Sequence, residues 1–126
     1  MAALILILTL MTGIDPNQPA STWGGEHIGL ELTAQGGRLE FDCAHGELDE
    51  KLVPSARGRF KVSGTYVEER GGPVRQSESG RGIRVFYAGQ IRGEIMKLTI
   101  RRRDNDRLIG SFTLVKGREP EIVKCK

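Results

Sequence analysis

No stretch of this chain is apolar for long enough to cross a bilayer as a helix. The longest run, Ala2 to Met11, has ten residues, and a helical span needs about 20. No window of eleven or more residues carries apolar side chains at the 3.6-residue spacing, which argues against an α-rich fold. Cysteine (2), histidine (2) and tryptophan (1) are scarce and aromatics make up only 6%, so multi-ligand metal centres and broad stacking platforms are poorly supplied. Net charge is also modest, 19 Lys and Arg against 16 Asp and Glu, and this bias gives little support to nucleic-acid binding. None of Ser21, Ser55, Ser63 and Ser111 sits in a Gly-x-Ser-x-Gly elbow. Gly71-Gly72-Pro73 lacks the lysine and the strand-to-helix setting of a phosphate loop, so it reads as a turn.

What the chain does have is 17 glycines, 38% hydrophobic and 28% charged residues over a length of 126. Those values fit one domain with a modest core and many tight turns. The abrupt junction between the apolar start and the polar stretch Asp15 to Ala20 divides the chain into a leader, residues 1–20, and a folded domain, residues 21–126. The leader has the length of a signal-peptide core, although no Lys or Arg precedes it and no small-x-small cleavage site follows. The plainer alternative is a buried amino-terminal strand or helix. No cysteine follows the run, so a lipid anchor is not supported.

In an exported protein Cys43 and Cys125 read as a disulfide that ties the carboxyl-terminal strand to the second strand. By the chain-entropy relation such a long loop would stabilise the fold by roughly 4 to 5 kcal/mol. These features together place the chain in a secreted or periplasmic compartment.

The apolar residues Ile28, Leu30 and Leu32 alternate with polar ones, as do Leu39, Phe41 and Cys43 beyond Gly36-Gly37. This predicts a hairpin pairing Leu32 with Phe41, Leu30 with Cys43 and Glu31 with Asp42. A second meander runs through Val85, Tyr87 and Ile91, turns at Gly93-Glu94 and continues through Met96, Leu98 and Ile100. Its register pairs Ile91 with Met96 and Tyr87 with Ile100. After the turn at Asn105-Asp106-Arg107, Phe112 is expected to face Ile100 and Leu114 to face Leu98. Phe60 to Tyr66 forms another strand, a weaker one covers Glu47 to Val53, and Glu69 to Gly82 is a long mobile loop. The pattern predicts an all-β fold, an antiparallel up-and-down barrel of seven to eight strands with a solid interior, with a β-sandwich as the alternative.

Trp23-Gly24-Gly25-Glu26-His27-Ile28, Leu39 to Gly46 and Gly110 to Leu114 resemble a group of short exported bacterial proteins, over most of the chain from Thr22 onward. That resemblance implies the domain limits and export, and no activity. A Trp ahead of the first strand resembles lipocalins and related calycin barrels, and Phe60 to Tyr66, ending Gly64-Thr65-Tyr66, is similar to a strand of avidin-type barrels. Both imply a ligand-binding barrel. Trp23-Gly24 inverts the lipocalin Gly-x-Trp order, and one Trp stands where an avidin has several.

His27, Asp42 and His45 are the residues best suited to a metal or catalytic site. The expected register, however, sends His45 to the apolar face beside Ile28 and Asp42 to the opposite face, so the three do not converge and His45 reads as structural. Glu31, Glu40 and Asp42 form an outer carboxylate row that reads as solvated charge without a cleft. Arg101, Arg102, Arg103 and Arg107 sit at a hairpin tip with Asp104 and Asp106 interleaved, which blunts any anion site. Trp23 is expected to plug one barrel end, and Tyr66 is a further candidate at the avidin-like strand.

The resulting expectation is a non-enzymatic exported barrel, without cofactor, metal, membrane span or nucleic-acid partner. It would bind a protein or other macromolecule, or a small apolar ligand, through loops at its open end. The alternatives are a hydrolase inhibitor using the Glu69 to Gly82 loop and a metal-dependent enzyme using His27 and His45.

Overall fold

The computed structural model describes residues 20–69 and 82–125. Residues 1–19 of the leader and most of the Glu69 to Gly82 loop lie outside the described residues, as do the expectations about them. Eight antiparallel strands follow one another in sequence and close into an up-and-down barrel. They are β1 (Ser21–Gly25), β2 (Ile28–Leu32), β3 (Gly37–Phe41), β4 (Ala44–Leu48), β5 (Arg59–Glu68), β6 (Ile83–Arg92), β7 (Ile95–Arg102) and β8 (Leu108–Lys116). No helix of the described residues is long and apolar enough to cross a membrane.

Period-2 alternation determines which side chains fill the interior. All eight strands contribute: Trp23, Ile28, Leu30, Leu39, Phe41, Ala44, Leu48, Phe60, Val62, Val85, Tyr87, Met96, Leu98, Ile100 and Leu114 are buried. The largest is Tyr87, which is 0% exposed and whose hydroxyl donates to the Thr65 carbonyl at 2.6 Å. Burial pushes its phenol well above the ordinary range. The ring fits because Gly46 and Gly64 leave the space empty. A β-carbon on Gly46 would overlap the Tyr87 hydroxyl, and one on Gly64 would meet the ring edge.

The second meander has the expected register, with Ile91 opposite Met96 and Tyr87 opposite Ile100. Gly93, at φ 59°, supplies the left-handed residue that its two-residue turn requires. Three expectations are corrected. Leu32 pairs with Gly37 and Leu30 with Leu39, because the connection between β2 and β3 spans four residues, Thr33 to Gly36. Thr33 holds that turn, accepting the Gly36 N–H on its hydroxyl at 3.1 Å. Phe112 stands opposite Leu98, not Ile100, where an irregularity at Ile100/Arg101 alters the ladder. The weak strand at Glu47 to Val53 ends at Leu48; the segment beyond is a connection whose Leu52 is 9% exposed and joins the core.

The two ends of the barrel differ. The turns at 26–27, 42–43 and 103–107 share one end, here called upper, with the β5–β6 connection; the other connections lie at the lower end. After β8 ends at the lower end, residues 118–125 return along the outside of β1 to β3 as a strap. Glu121 forms a parallel bridge with Glu26, and Pro120 and Ile122 lie over Gly29, where a β-carbon would clash with the proline ring. At the upper end the strap is fixed by a Cys43–Cys125 disulfide, with the two Cα atoms 5.2 Å apart. Cys43 lies in the β3–β4 turn and Cys125 beyond β8, so the bond joins a turn to the strap, not strand to strand.

Candidate functional site

Every sequence-derived candidate except Trp23 lies near the upper end. His27 occupies the second position of the β1–β2 turn at φ 67°, a left-handed conformation that a β-carbon makes costly. Two contacts hold it. Its backbone N–H donates to the Glu121 carbonyl at 2.9 Å, and Nδ1 lies 2.6 Å from Asp42 Oδ2. The other carboxylate oxygen of Asp42 accepts the Val123 N–H at 3.0 Å. That backbone hydrogen bond, followed by His27, holds the Asp42 carboxyl below its usual range.

A second cluster stands beside the first. His45 Nδ1 lies 2.8 Å from Glu69 Oε2. Glu69 also accepts from Lys124 Nζ at 3.1 and 3.2 Å, and Lys124 reaches Glu40 at 2.6 Å. The His45 hydrogen bond, then Lys124, lowers the Glu69 carboxyl. Partial burial pulls the Lys124 ammonium down, but Glu40 and Glu69 outweigh it and the net shift is upward.

His45 is therefore not on the apolar face. The chain reverses at Asp42-Cys43, so Ala44 pairs with Phe41, and the alternation then sends Ala44, Gly46 and Leu48 inward and His45 outward. Its side chain is 45% exposed. The expected separation of the three candidates is corrected in part: His27 and Asp42 touch, whereas His45 joins Glu69. Among the described residues no group of three or more His, Cys, Asp or Glu side chains is arranged to hold a metal ion. Both histidine–carboxylate contacts are open to solvent and both reach the strap through their carboxylates, so their chemistry is that of a clamp.

Trp23 lies within the barrel at 5% exposure, with its indole N–H donating to Ser21 Oγ at 3.2 Å. Tyr66 is half-buried beneath the upper end, its ring centroid 5.2 Å from that of Phe41, which in turn contacts Phe112 at 5.4 Å. Burial, then Glu68, raises the Tyr66 phenol. These aromatics pack against one another beneath the upper end.

Two recesses among the described residues are external. One of about 520 Å³ runs between the strap and β1 to β3, bordered by Glu31, Arg38, Glu40, Arg118 and Pro120. Another of about 420 Å³ lies on the outside of β5 to β7. Between these two sides the outward charges are partitioned. The early strands present Glu31, Glu40 and Glu47 beside Arg38; the late ones present Arg59, Lys61, Arg84, Arg92, Lys97 and Arg101. Sequence reading missed this partition, although the alternation held the signal: each of these charges occupies the polar phase of its strand. Comparison with family models, curated proteins and solved structures returned no match to this chain.

Proposed function

We propose that this chain is an exported, non-enzymatic binding protein that recognises a macromolecule with the outside of its barrel. The observation that carries this reading is the filled interior. Ile28, Val85, Tyr87, Met96, Ile100 and Leu114 are all 0% exposed, and a chamber large enough for an apolar ligand would leave area on some of them. The disulfide supports export, since such bonds persist in oxidising compartments, and so does the apolar stretch Ala2 to Met11. Of the two ligand classes expected from sequence, the packed core favours a macromolecule over a small apolar molecule, and the exterior offers a macromolecule partitioned charge.

The test is titration of the folded protein with a fluorescent fatty acid and with anilinonaphthalene sulfonate. Neither should bind saturably or raise the melting temperature. Stoichiometric uptake that raises the melting temperature would overturn the reading.

A further inference from the structure

We infer that the outward face of β5, β6 and β7 is a binding surface for an acidic polysaccharide, an assignment that rests on the exterior-binding reading above. The alternation places Arg59 and Lys61 of β5, Arg84 and Arg92 of β6, and Lys97 and Arg101 of β7 outward, all exposed. The remaining outward positions of these strands are Ser63, Thr65, Val67, Phe86, Ala88, Gln90, Ile95 and Thr99, with no carboxylate among them.

The register assembles these scattered residues into rows. Arg59, Gln90 and Lys97 lie abreast, then Lys61, Ala88 and Thr99, then Ser63, Phe86 and Arg101. Strand geometry spaces cations two residues apart along a strand by about 7 Å and cations two strands apart by about 10 Å. That array suits a polymer with charge repeated along its length better than a single compact anion. Ion pairs of the described residues engage Arg38, Arg84, Arg102, Arg118 and Lys124; Arg59, Lys61, Arg92, Lys97 and Arg101 are in none of them. Arg84 is partly neutralised by Asp49.

The 420 Å³ recess sits in this face, lined by Lys61, Phe86, Ala88, Thr99 and Arg101, with Asp106 the one acid at its edge. Arg101 donates to the Asp106 backbone carbonyl at 3.1 Å, not to its carboxylate. Small and hydroxyl side chains at the recess let a polymer backbone approach and can hydrogen-bond sugar hydroxyls, while the surrounding cations meet its acid groups.

Other partners fit less well. Phe86, the aromatic of this face, is covered by Lys61 Nζ at 4.3 Å and by the Arg103 guanidinium at 5.3 Å from its centroid, so it offers no free ring on which a nucleobase could stack. The same covering removes the aromatic anchor that a protein interface would use. The exposed large apolar residues among those described are Val53 in the β4–β5 connection, Ile95 and Leu108 beside turns at opposite ends of the barrel, and Val123 on the strap. They are distributed over four separate segments and are not gathered on this face for insertion into lipid. The carboxylates of β2 to β4 would repel a polyanion and orient it toward the cationic half.

The experiment measures binding of the full chain at low salt to fluorescently labelled alginate, dextran sulfate and neutral dextran. The acidic polymers should bind, neutral dextran should not, and the two acidic arms distinguish carboxylate from sulfate recognition. Replacing both Arg59→Glu and Lys97→Glu should weaken binding at least about tenfold, as should about 0.5 M salt, which screens such contacts. Both side chains are exposed, so the melting temperature should hold. Arg38→Glu, on the opposite half, should leave binding unchanged. Absence of binding to both acidic polymers, no loss in the double variant, or tighter binding to single-stranded DNA or anionic vesicles would overturn the assignment. A protein that binds no acidic polysaccharide and takes up no apolar probe sinks this inference alone. Uptake of the apolar probe sinks the exterior reading whatever the polysaccharides do.

Discussion

The two halves of the barrel are built on different terms. β1 to β4 have five residues each, whereas β5 and β6 have 10, β7 has 8 and β8 has 9. The long half is held by its ladders: eight residue pairs join β5 to β6 and another eight join β6 to β7. The short half includes the closing seam between β1 and β8, where only Trp23 with Lys116 and Gly24 with Val115 are paired. There the chain adds a strap, a disulfide and two histidine–carboxylate clamps. Where the ladder is too short to hold the closure, other bonds substitute for it. The half that is secure without them is free to present an open, charged surface.

The largest effect expected from breaking this comparison comes from Cys43→Ser with Cys125→Ser. The chain-entropy relation for a bridge with a sequence separation of 82 puts the loss at roughly 4 to 5 kcal/mol. The melting temperature should fall. Amide exchange should accelerate first in β1 to β3, with β5 to β7 still protected; uniform acceleration would show that the halves are not separate in stability.

His27 offers a smaller and sharper test. Alanine and glycine both delete the Asp42 contact, but only glycine relieves the left-handed backbone at φ 67°. His27→Gly should therefore be more stable than His27→Ala by about 1 kcal/mol in denaturant unfolding. Equal stabilities would mean that the turn stores no strain.

Acid should produce the smallest effect. The Asp42 and Glu69 carboxyls are held below their ordinary range in the folded protein, by Val123 and His27 and by His45 and Lys124 respectively. A folded pKa below the unfolded one gives stability that is present above the unfolded value and lost as pH falls through the folded value. The clamps should thus weaken below about pH 4, seen as faster exchange at the upper ends of β1 to β3 while the disulfide keeps the strap tethered. Unchanged protection down to pH 2 would contradict this.

Much of the architecture was legible in the sequence. Alternation identified both meanders, and the Gly93-Glu94 turn set the β6–β7 register because a two-residue loop admits one pairing. The β2–β3 register was not legible. The expected pairing of Leu32 with Phe41 differs from the observed pairing with Gly37 by four positions, and an even slip leaves every apolar side chain on the same face. Polarity alone cannot detect such an error. His45 was misplaced for a different reason: the reversal at Asp42-Cys43 carries no glycine or proline to mark it, so the strand read as continuous. The cationic face was hidden because its residues run from Arg59 to Arg101 with acids between them in sequence, and only the ladder separates the two signs.

Because hydrophobic patterning is blind to even slips, the molecule needs some other gauge of alignment, and Tyr87 with its two glycines provides one. Sliding β5 by two positions against β6 would bring Val62 or Tyr66 to the place where Gly64 now clears the ring. A matching slip of β4 would set Ala44 or Leu48 against the hydroxyl in place of Gly46. Misaligned barrels that bury the same amount of apolar surface are thus rejected by shape, and one bulky side chain opposite two empty positions acts as a proofreader of folding.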